Sequence, residues 1–520
     1  MDGKNNVTDN IFIDSLSNEL LTSRATRLTK NYNTFKNYAT QFSYKHLFTK
    51  EGKELTADVN YNAPRSNNDA DFTTQTFFAD GSPRNKAVLQ KTDGGGFNKL
   101  ATVQSDFVNP INEKSKIEMG VRGSLRDFRS DNSNSFFVDS LNEFIVSRLA
   151  SSKYKYQDQV YAAYTTYSSG INNFRYQLGL RAESSNYTGA ITDRGLSFHV
   201  QYPVSLFPST FFTYKLNKNQ DLQLNFTRKI NRPNFTQLMP FADYSDPQNI
   251  SVGNASLKPE FTNSSELNYQ KIWQHGHSFL ASAYFKYSTN LITRFQYKSL
   301  SPNGNDSLVY NTYVNANSSQ SYGLELTAKN PITKWWEIIS NVNFYDAQIN
   351  GGGSVQNIST ERVSWFGKIN SNFSLPKNIV IQLSADYQSK TVLPISGGGG
   401  QGLGGGQGGP GRAMGFGGGG FGGPQLSSAQ GYVNPNYSVD AAIKWDIIKN
   451  IATLAFSISD IFKTKKYSSY SETAYFTQNY TRQRDAQIMR VNFSYRFGKM
   501  DASLFKRKNN NVESEPIQGL

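Results

Sequence analysis

Polar and apolar positions alternate along much of the chain. Near the C-terminus Met489, Val491, Phe493, Tyr495 and Phe497 fall on one side of an extended segment, and Arg490, Asn492, Ser494 and Arg496 fall on the other. A period of two is that of a β-strand, whose successive side chains point to opposite faces. The same period sets Ile379, Ile381, Leu383, Ala385 and Tyr387 against Val380, Gln382, Ser384, Asp386 and Gln388. It also sets Phe174, Tyr176, Leu178, Leu180 and Ala182 against Arg175, Gln177, Gly179, Arg181 and Glu183. These runs have the length of about 9–11 residues that a tilted strand needs to cross a bilayer. Arginines do not face lipid, so the polar side is expected to line a lumen.

The connections divide into two kinds. Those at 109–112, 168–170, 217–219, 273–276, 330–333, 376–377 and 449–450 are short, and those at 126–153, 184–203, 231–259, 392–434 and 466–484 are long. Short turns at one end of the strands and long loops at the other are the pattern of an outer-membrane barrel, with periplasmic turns and extracellular loops. A soluble sandwich has shorter strands and tight turns at both ends. The expected fold is therefore all-β, a large antiparallel transmembrane β-barrel with roughly 16–18 strands in this chain, bacterial barrels being even-numbered. The first full strand is expected near 34–48, with 20–30 ending an earlier one. The expected division is 1–33 as the end of an upstream strand or loop, 34–498 as barrel and 499–520 as a polar tail. The glycine-dense stretch 397–423 is read as a flexible extracellular loop, because glycine at that density is entropically costly to order.

Composition sharpens this picture. Only 37% of residues are hydrophobic and 18% charged, yet 14% are aromatic. Half-polar strands with aromatic girdles give that balance, and the aromatics argue against disorder. No run approaches the ~18–20 apolar residues of a membrane helix, so a membrane-spanning form has to be a closed barrel. The net charge of +14 is spread singly along the chain. It forms no basic stretch or motif of the kind nucleic-acid binding requires. With no cysteine, disulfides, thiolate metal sites and cysteine nucleophiles are excluded. The first ten residues, MDGKNNVTDN, carry no apolar core of an export signal. An exported barrel needs one, so the chain is expected to be a fragment or a truncated gene model.

Candidate chemistry is sparse. Of the four histidines His46, His199, His275 and His277, only the last two are close, and two ligands are too few for a zinc site. Glu183, Glu266, Glu325 and Asp386 fall on polar strand faces as lumen-lining groups. No G-x-S-x-G elbow is present, and the GxGxxG-like glycine strings lack the strand and helix a nucleotide loop requires. No catalytic residue, metal ligand or cofactor is expected, and the chain is not expected to be an enzyme.

The stretch Arg228–Glu260, RKINRPNFTQLMPFADYSDPQNISVGNASLKPE, resembles the "N-R-P … D-P … G-N-x-x-L-K-P-E" signature of TonB-dependent receptor barrels. The segments GYVNPNYSVDAAIKWDI, SISDIFKTKKY and RVNFSYRFGKMDASLFKRK within 431–508 resemble the last strands of the same group, and SYGLEL at 321–326 followed by TKWW at 333–336 is a third match. From about Thr34 onward the chain is thus similar to the outer-membrane β-barrel family of the TonB-dependent receptor superfamily.

That resemblance implies a 22-stranded barrel in the Gram-negative outer membrane, preceded in full-length members by a plug with a TonB-contacting segment and often by a small carboxypeptidase-regulatory-like domain. Neither is visible in this chain. It implies binding of a small ligand of unknown identity at the cell surface and its passage to the periplasm. The implied partners are outer-membrane lipid, the barrel-assembly machinery and the TonB complex, reached through the plug. A plug-less structural or assembly component without transport activity is the alternative, and a soluble all-β adhesin a third reading. Tyr495 and Phe497 are expected to carry the assembly signal or to be plain girdle aromatics. Arg228, Arg232, Phe235, Tyr244 and Lys258, with Phe241 among them, are candidate ligand-loop residues, since basic and aromatic side chains can grip an anionic or sugar-like ligand. The other reading makes Pro233, Asp246, Pro247, Gly253, Asn254 and Pro259 the turn residues that fix the loop, with the charges solvated.

Overall fold

The alternating segments are strands. A computed structural model of the chain describes residues 2–17, 20–240, 242–243, 250–300, 307–352, 355–392, 431–448, 451–472, 477–482 and 487–497. Among the described residues twenty-one strands belong to one large sheet, and three of these are short pieces, Glu143–Val146, Ala242–Asp243 and Ile250–Val252. Eighteen strands remain among the described residues, the upper end of the sequence expectation. Apart from Ile250–Val252, which runs parallel to Ser307–Pro331, neighbouring strands such as Leu20–Leu47, Glu54–Phe78, Val88–Pro110 and Lys116–Val138 pair antiparallel. By contacts the chain forms two units, one of Met1–Tyr214, Leu224–Ser264 and Phe295–Asn315, the other of Lys215–Gln223, Ser265–Arg294 and Ala316–Leu520.

In the first unit strand register builds two kinds of row. Val59, Val103, Gly123, Tyr161 and Ser184 lie side by side across five strands, and one residue along lie Asp58, Gln104, Arg122, Ala162 and Glu183. The large apolar members of the first row are exposed, whereas Asp58 and Ala162 of the second are buried. Burial of polar groups is tolerable only with hydrogen-bond partners. Asp58 accepts from the Ser43 hydroxyl at 2.6 Å, and Asp106 accepts from Gln104 Nε2 at 2.8 Å and Tyr164 OH at 2.5 Å. An apolar face open to the surroundings and a polar face turned inward is the inversion that a lipid solvent demands.

The second unit shows the height of the apolar band. Trp336 lies opposite Phe373, their rings stacked at 6.0 Å, and Phe344 lies opposite Trp365 at 6.2 Å on the same face. These two aromatic pairs are eight residues apart, about 26 Å along a strand and about 20 Å along the membrane normal at the usual tilt. Ile338, Val342 and Ile369 lie between them on that face. On the opposite face Tyr284 OH donates to Asn343 Oδ1 at 3.1 Å and Asn341 Nδ2 donates to Glu325 Oε1 at 2.7 Å. A small second sheet joins Gly431–Val433, Tyr467–Glu472 and Thr477–Arg482, with Tyr432 stacked on Tyr470 at 4.9 Å.

Several boundaries differ from the sequence expectation. The strand expected to begin near residue 34 starts at Leu20 and runs to Leu47. The connections expected at 126–153 and 184–203 are largely strand: Lys116–Val138, Ser152–Ile171, Phe174–Ile191 and Leu196–Asn217 leave 139–151, which holds the short strand Glu143–Val146, and the brief link 192–195. The turn expected at 168–170 lies at 172–173, with Asn172 at φ 53°. Beyond the apolar band both faces meet polar surroundings, so alternation fades while backbone pairing continues. Polar ladders support it: Arg27 donates to Gln90 at 3.4 Å, and Gln90 to Asn134 at 3.1 Å. The expected loop 397–423 and tail 499–520 lie outside the described residues.

Candidate functional site from Arg228 to Glu260

After the strand Gln220–Asn231 the chain makes a tight, fully specified turn. Pro233 is buried and cannot donate a backbone hydrogen bond, and Asn234 caps the one-turn helix Phe235–Leu238. Asn234 Oδ1 accepts from the Gln237 backbone at 2.9 Å while Gln237 Oε1 accepts from the Asn234 backbone at 2.9 Å, a reciprocal capping box. Leu238 is fully buried. Phe235 enters an aromatic pocket formed by Tyr156, Phe128 and Tyr154, at ring distances of 5.0, 5.5 and 5.8 Å.

The returning limb closes on this helix. The backbone N–H of Gly253 donates to Met239 O at 2.7 Å and that of Asn254 to Gln237 O at 2.6 Å. A Cβ at Gly253 would lie 2.4 Å from Met239 O and 2.6 Å from Thr236 O, so only glycine permits this approach. Asn254 Oδ1 accepts from the Ser256 backbone at 2.9 Å, an Asx-type turn, and Asn254 Nδ2 donates to Tyr313 O at 3.0 Å. Asn315 pairs with both backbone groups of Lys258, at 2.8 and 2.9 Å, and Tyr202 OH donates to Leu257 O at 2.9 Å.

The charges sort by role. Arg232 and Arg181 both bind Glu183, one to each carboxylate oxygen. Glu183 is 10% exposed and Arg232 18%, so this is a shielded pair-and-a-half with two cations for one anion. Arg228 stands over the Phe261 ring at 4.7 Å, and Phe261 stacks on Phe207 at 6.3 Å. The Nε atoms of Arg228 and Arg232 are buried without a hydrogen-bond partner.

Of the residues singled out in the sequence, the structure therefore brings Arg228, Arg232 and Phe235 onto the inner face, each engaged by the wall. Lys258 is held by its backbone and its side chain is exposed. Tyr244, Phe241, Asp246 and Pro247 lie outside the described residues. Phe128, Tyr154, Tyr156, Tyr202 and Asn315 were not legible as partners, because only strand register carries them to the loop. Tyr495 ends the last strand opposite Ala452, and Phe497 follows it, 87% exposed, with the two rings 6.4 Å apart. His277 Nδ1 lies 3.2 Å from Asn330 Oδ1, in a turn where His275 has φ 65°. No group of three or more metal-ligating side chains occurs among the described residues.

No curated protein matches the sequence. Among solved structures the chain is similar to the FrpB iron transporter from Neisseria meningitidis (F5-1 variant), at 11% identity over 95% of this chain and 80% of that one, with a TM-score of 0.50. It is also similar to the siderophore receptor PiuA from Acinetobacter baumannii (10% identity, 95% and 78% covered, TM-score 0.49). A third is the ferric yersiniabactin uptake receptor FyuA from Yersinia pestis (10% identity, 96% and 78% covered, TM-score 0.49). At these identities the first similarity speaks to fold alone. The sequence itself matches a family description over residues 46–401 and 418–495, most of its length, and the chain belongs to the outer membrane protein β-barrel family.

Proposed function

We propose that the chain is the barrel portion of a TonB-dependent receptor-like protein of the Gram-negative outer membrane, binding a small ligand at the cell surface and passing it to the periplasm. The observation that carries this reading is the folded two-limbed segment made of Arg228–Pro240 and Ile250–Glu260. Glycine, capping box and asparagine clamps hold it against the inner face, and it sets Arg228 and Arg232 there with buried donors that lack acceptors. An inert structural barrel has no need of a rigid inward loop bearing surplus positive charge. In this scheme the long-loop ends face the cell exterior, and the strands from Asp2–Ser17 to Met489–Tyr495 form the barrel wall. Arg228, Arg232, Phe235, Tyr244 and Lys258 contribute to the ligand site, Tyr495 and Phe497 present the assembly signal, and a plug couples the barrel to TonB. The similarity to an iron transporter fold is consistent with a ferric chelate as one ligand class.

Two measurements test the proposal. Fractionation of the native source followed by gel mass determination is expected to place the polypeptide in the outer membrane as a heat-modifiable species. Deletion of the gene is expected to abolish energised uptake of one member of a panel of ferric siderophores, cobalamin, oligosaccharides and peptides, with the same loss when TonB is removed. An outer-membrane barrel whose deletion changes uptake of none of them would show a structural component instead.

A further inference from the structure

A depression of about 440 Å³ opens in the first unit and is lined by Val103, Val121, Gly123, Tyr161, Ala163 and Val204, among others. These six belong to the outward face. Val103, Gly123, Tyr161 and Ser184 form one cross-strand row, and Val121, Ala163 and Ala182 the next row on the same face. Val121 is 57% exposed, Tyr161 53% and Val204 65%, in keeping with a face whose solvent is the apolar interior of a bilayer. The floor is low because Gly123, Ala163 and Ala182 carry little or no side chain. A register shift between Glu183 and Ser185 alters the adjoining pairing with the strand Leu196–Asn217. A Cβ added at Gly123 would meet Tyr161 at 3.7 Å, ordinary contact, so glycine here supplies space and not relief of strain.

The position fixes the occupant. Tyr161 stands ten residues from Ile171, the short-turn end of its strand, and Ala182 eight from Phe174. A tilted span uses about 9–11 residues, so the depression lies in the half of the apolar band nearer the long loops and reaches its rim. It is continuous with the lipid-facing band on either side, through Val59 and Leu206, both exposed. Its volume falls within the ~300–1,000 Å³ of small-ligand sites. We infer that this depression seats one acyl chain of a bilayer lipid, a defined lipid site on the outer wall. Van der Waals contact with Tyr161, Val121 and Val204 replaces the contacts a chain loses when it leaves its neighbours.

The test uses the full chain in phosphatidylcholine vesicles doped with phosphatidylcholine whose acyl chain bears a diazirine. Carbene adducts are expected on Tyr161, Ala163 and Val204 several-fold above those on Ile369 and Ile443, outward residues of similar exposure elsewhere. Gly123→Leu and, separately, Ala163→Leu fill the floor and are expected to bring labelling down to that background while the heat-modifiable form persists. If Gly123→Leu does not fold, Ala163→Leu decides. Even labelling of all outward residues, unchanged labelling in a folded filled variant, or recovery of a partner polypeptide at these residues would overturn the assignment.

Discussion

Single residues decide whether the inward loop can form. Gly253 sits where any Cβ meets backbone that cannot yield, so Gly253→Ala is expected to destabilise the protein by about 1–3 kcal/mol, the usual cost of overpacking. Urea unfolding monitored by gel mobility reads this, and an unchanged midpoint would remove the close approach from the account. Asp80, in the polar link after the strand Glu54–Phe78, accepts from the Ser82 hydroxyl at 2.6 Å and the Ser82 backbone at 2.8 Å. Those bonds hold its carboxyl below the ordinary aspartate value of 3.8. A lowered value in the folded turn means that the turn gains stability above the unfolded value and loses it as pH falls through the folded one. The Ser82 amide shift is expected to titrate with a midpoint below 3.8, and Asp80→Asn to abolish that titration.

At the scale of elements, the two faces of a strand meet different solvents. Val491→Arg on the outward side of Met489–Tyr495 is expected to cost about 2–4 kcal/mol in a bilayer, while Asn492→Arg, one residue along, costs little. Equal costs in an unfolding titration would mean that the faces are misassigned. The tie between Phe174–Ile191 and the loop after Gln220–Asn231 runs through Glu183 and Arg232. Arg232→Met removes one of its two cations and is expected to cost up to about 3–5 kcal/mol if the remaining Arg181 does not compensate. Combining it with Glu183→Gln is expected to cost less than the sum, a coupling that a double-mutant cycle measures. The alternation that reveals these faces was plain in Met489–Tyr495 and Phe174–Ile191. It was invisible in the outer halves of Leu20–Leu47 and Lys116–Val138, because polar residues on both sides leave no period to read.

For the whole molecule, strands that satisfy one another's backbone groups survive where isolated ones would not. An unheated sample in detergent is therefore expected to migrate apart from a boiled one, and a single unchanged band would contradict a folded barrel. The same reasoning limits what the candidate ligand residues do. Phe235 is committed to Tyr156, Phe128 and Tyr154, so Phe235→Ala should act first through the loop's order and only then through any ligand. Arg228 and Arg232 are placed differently, since each retains a buried donor with no acceptor.

By itself the sequence determined that this is an all-β membrane barrel, because solvent preference writes a period of two wherever one face meets lipid and the other does not. It also located the Arg228–Glu260 segment, whose glycine, asparagine and prolines announce a turn with particular backbone needs. Only the tertiary structure decided how far the strands extend past the lipid, which aromatic side chains receive Phe235, and that Glu183 faces both Arg181 and Arg232. Those facts depend on register between segments tens of residues apart, and a one-residue slip, which leaves the sequence unchanged, would put every one of these side chains on the other face.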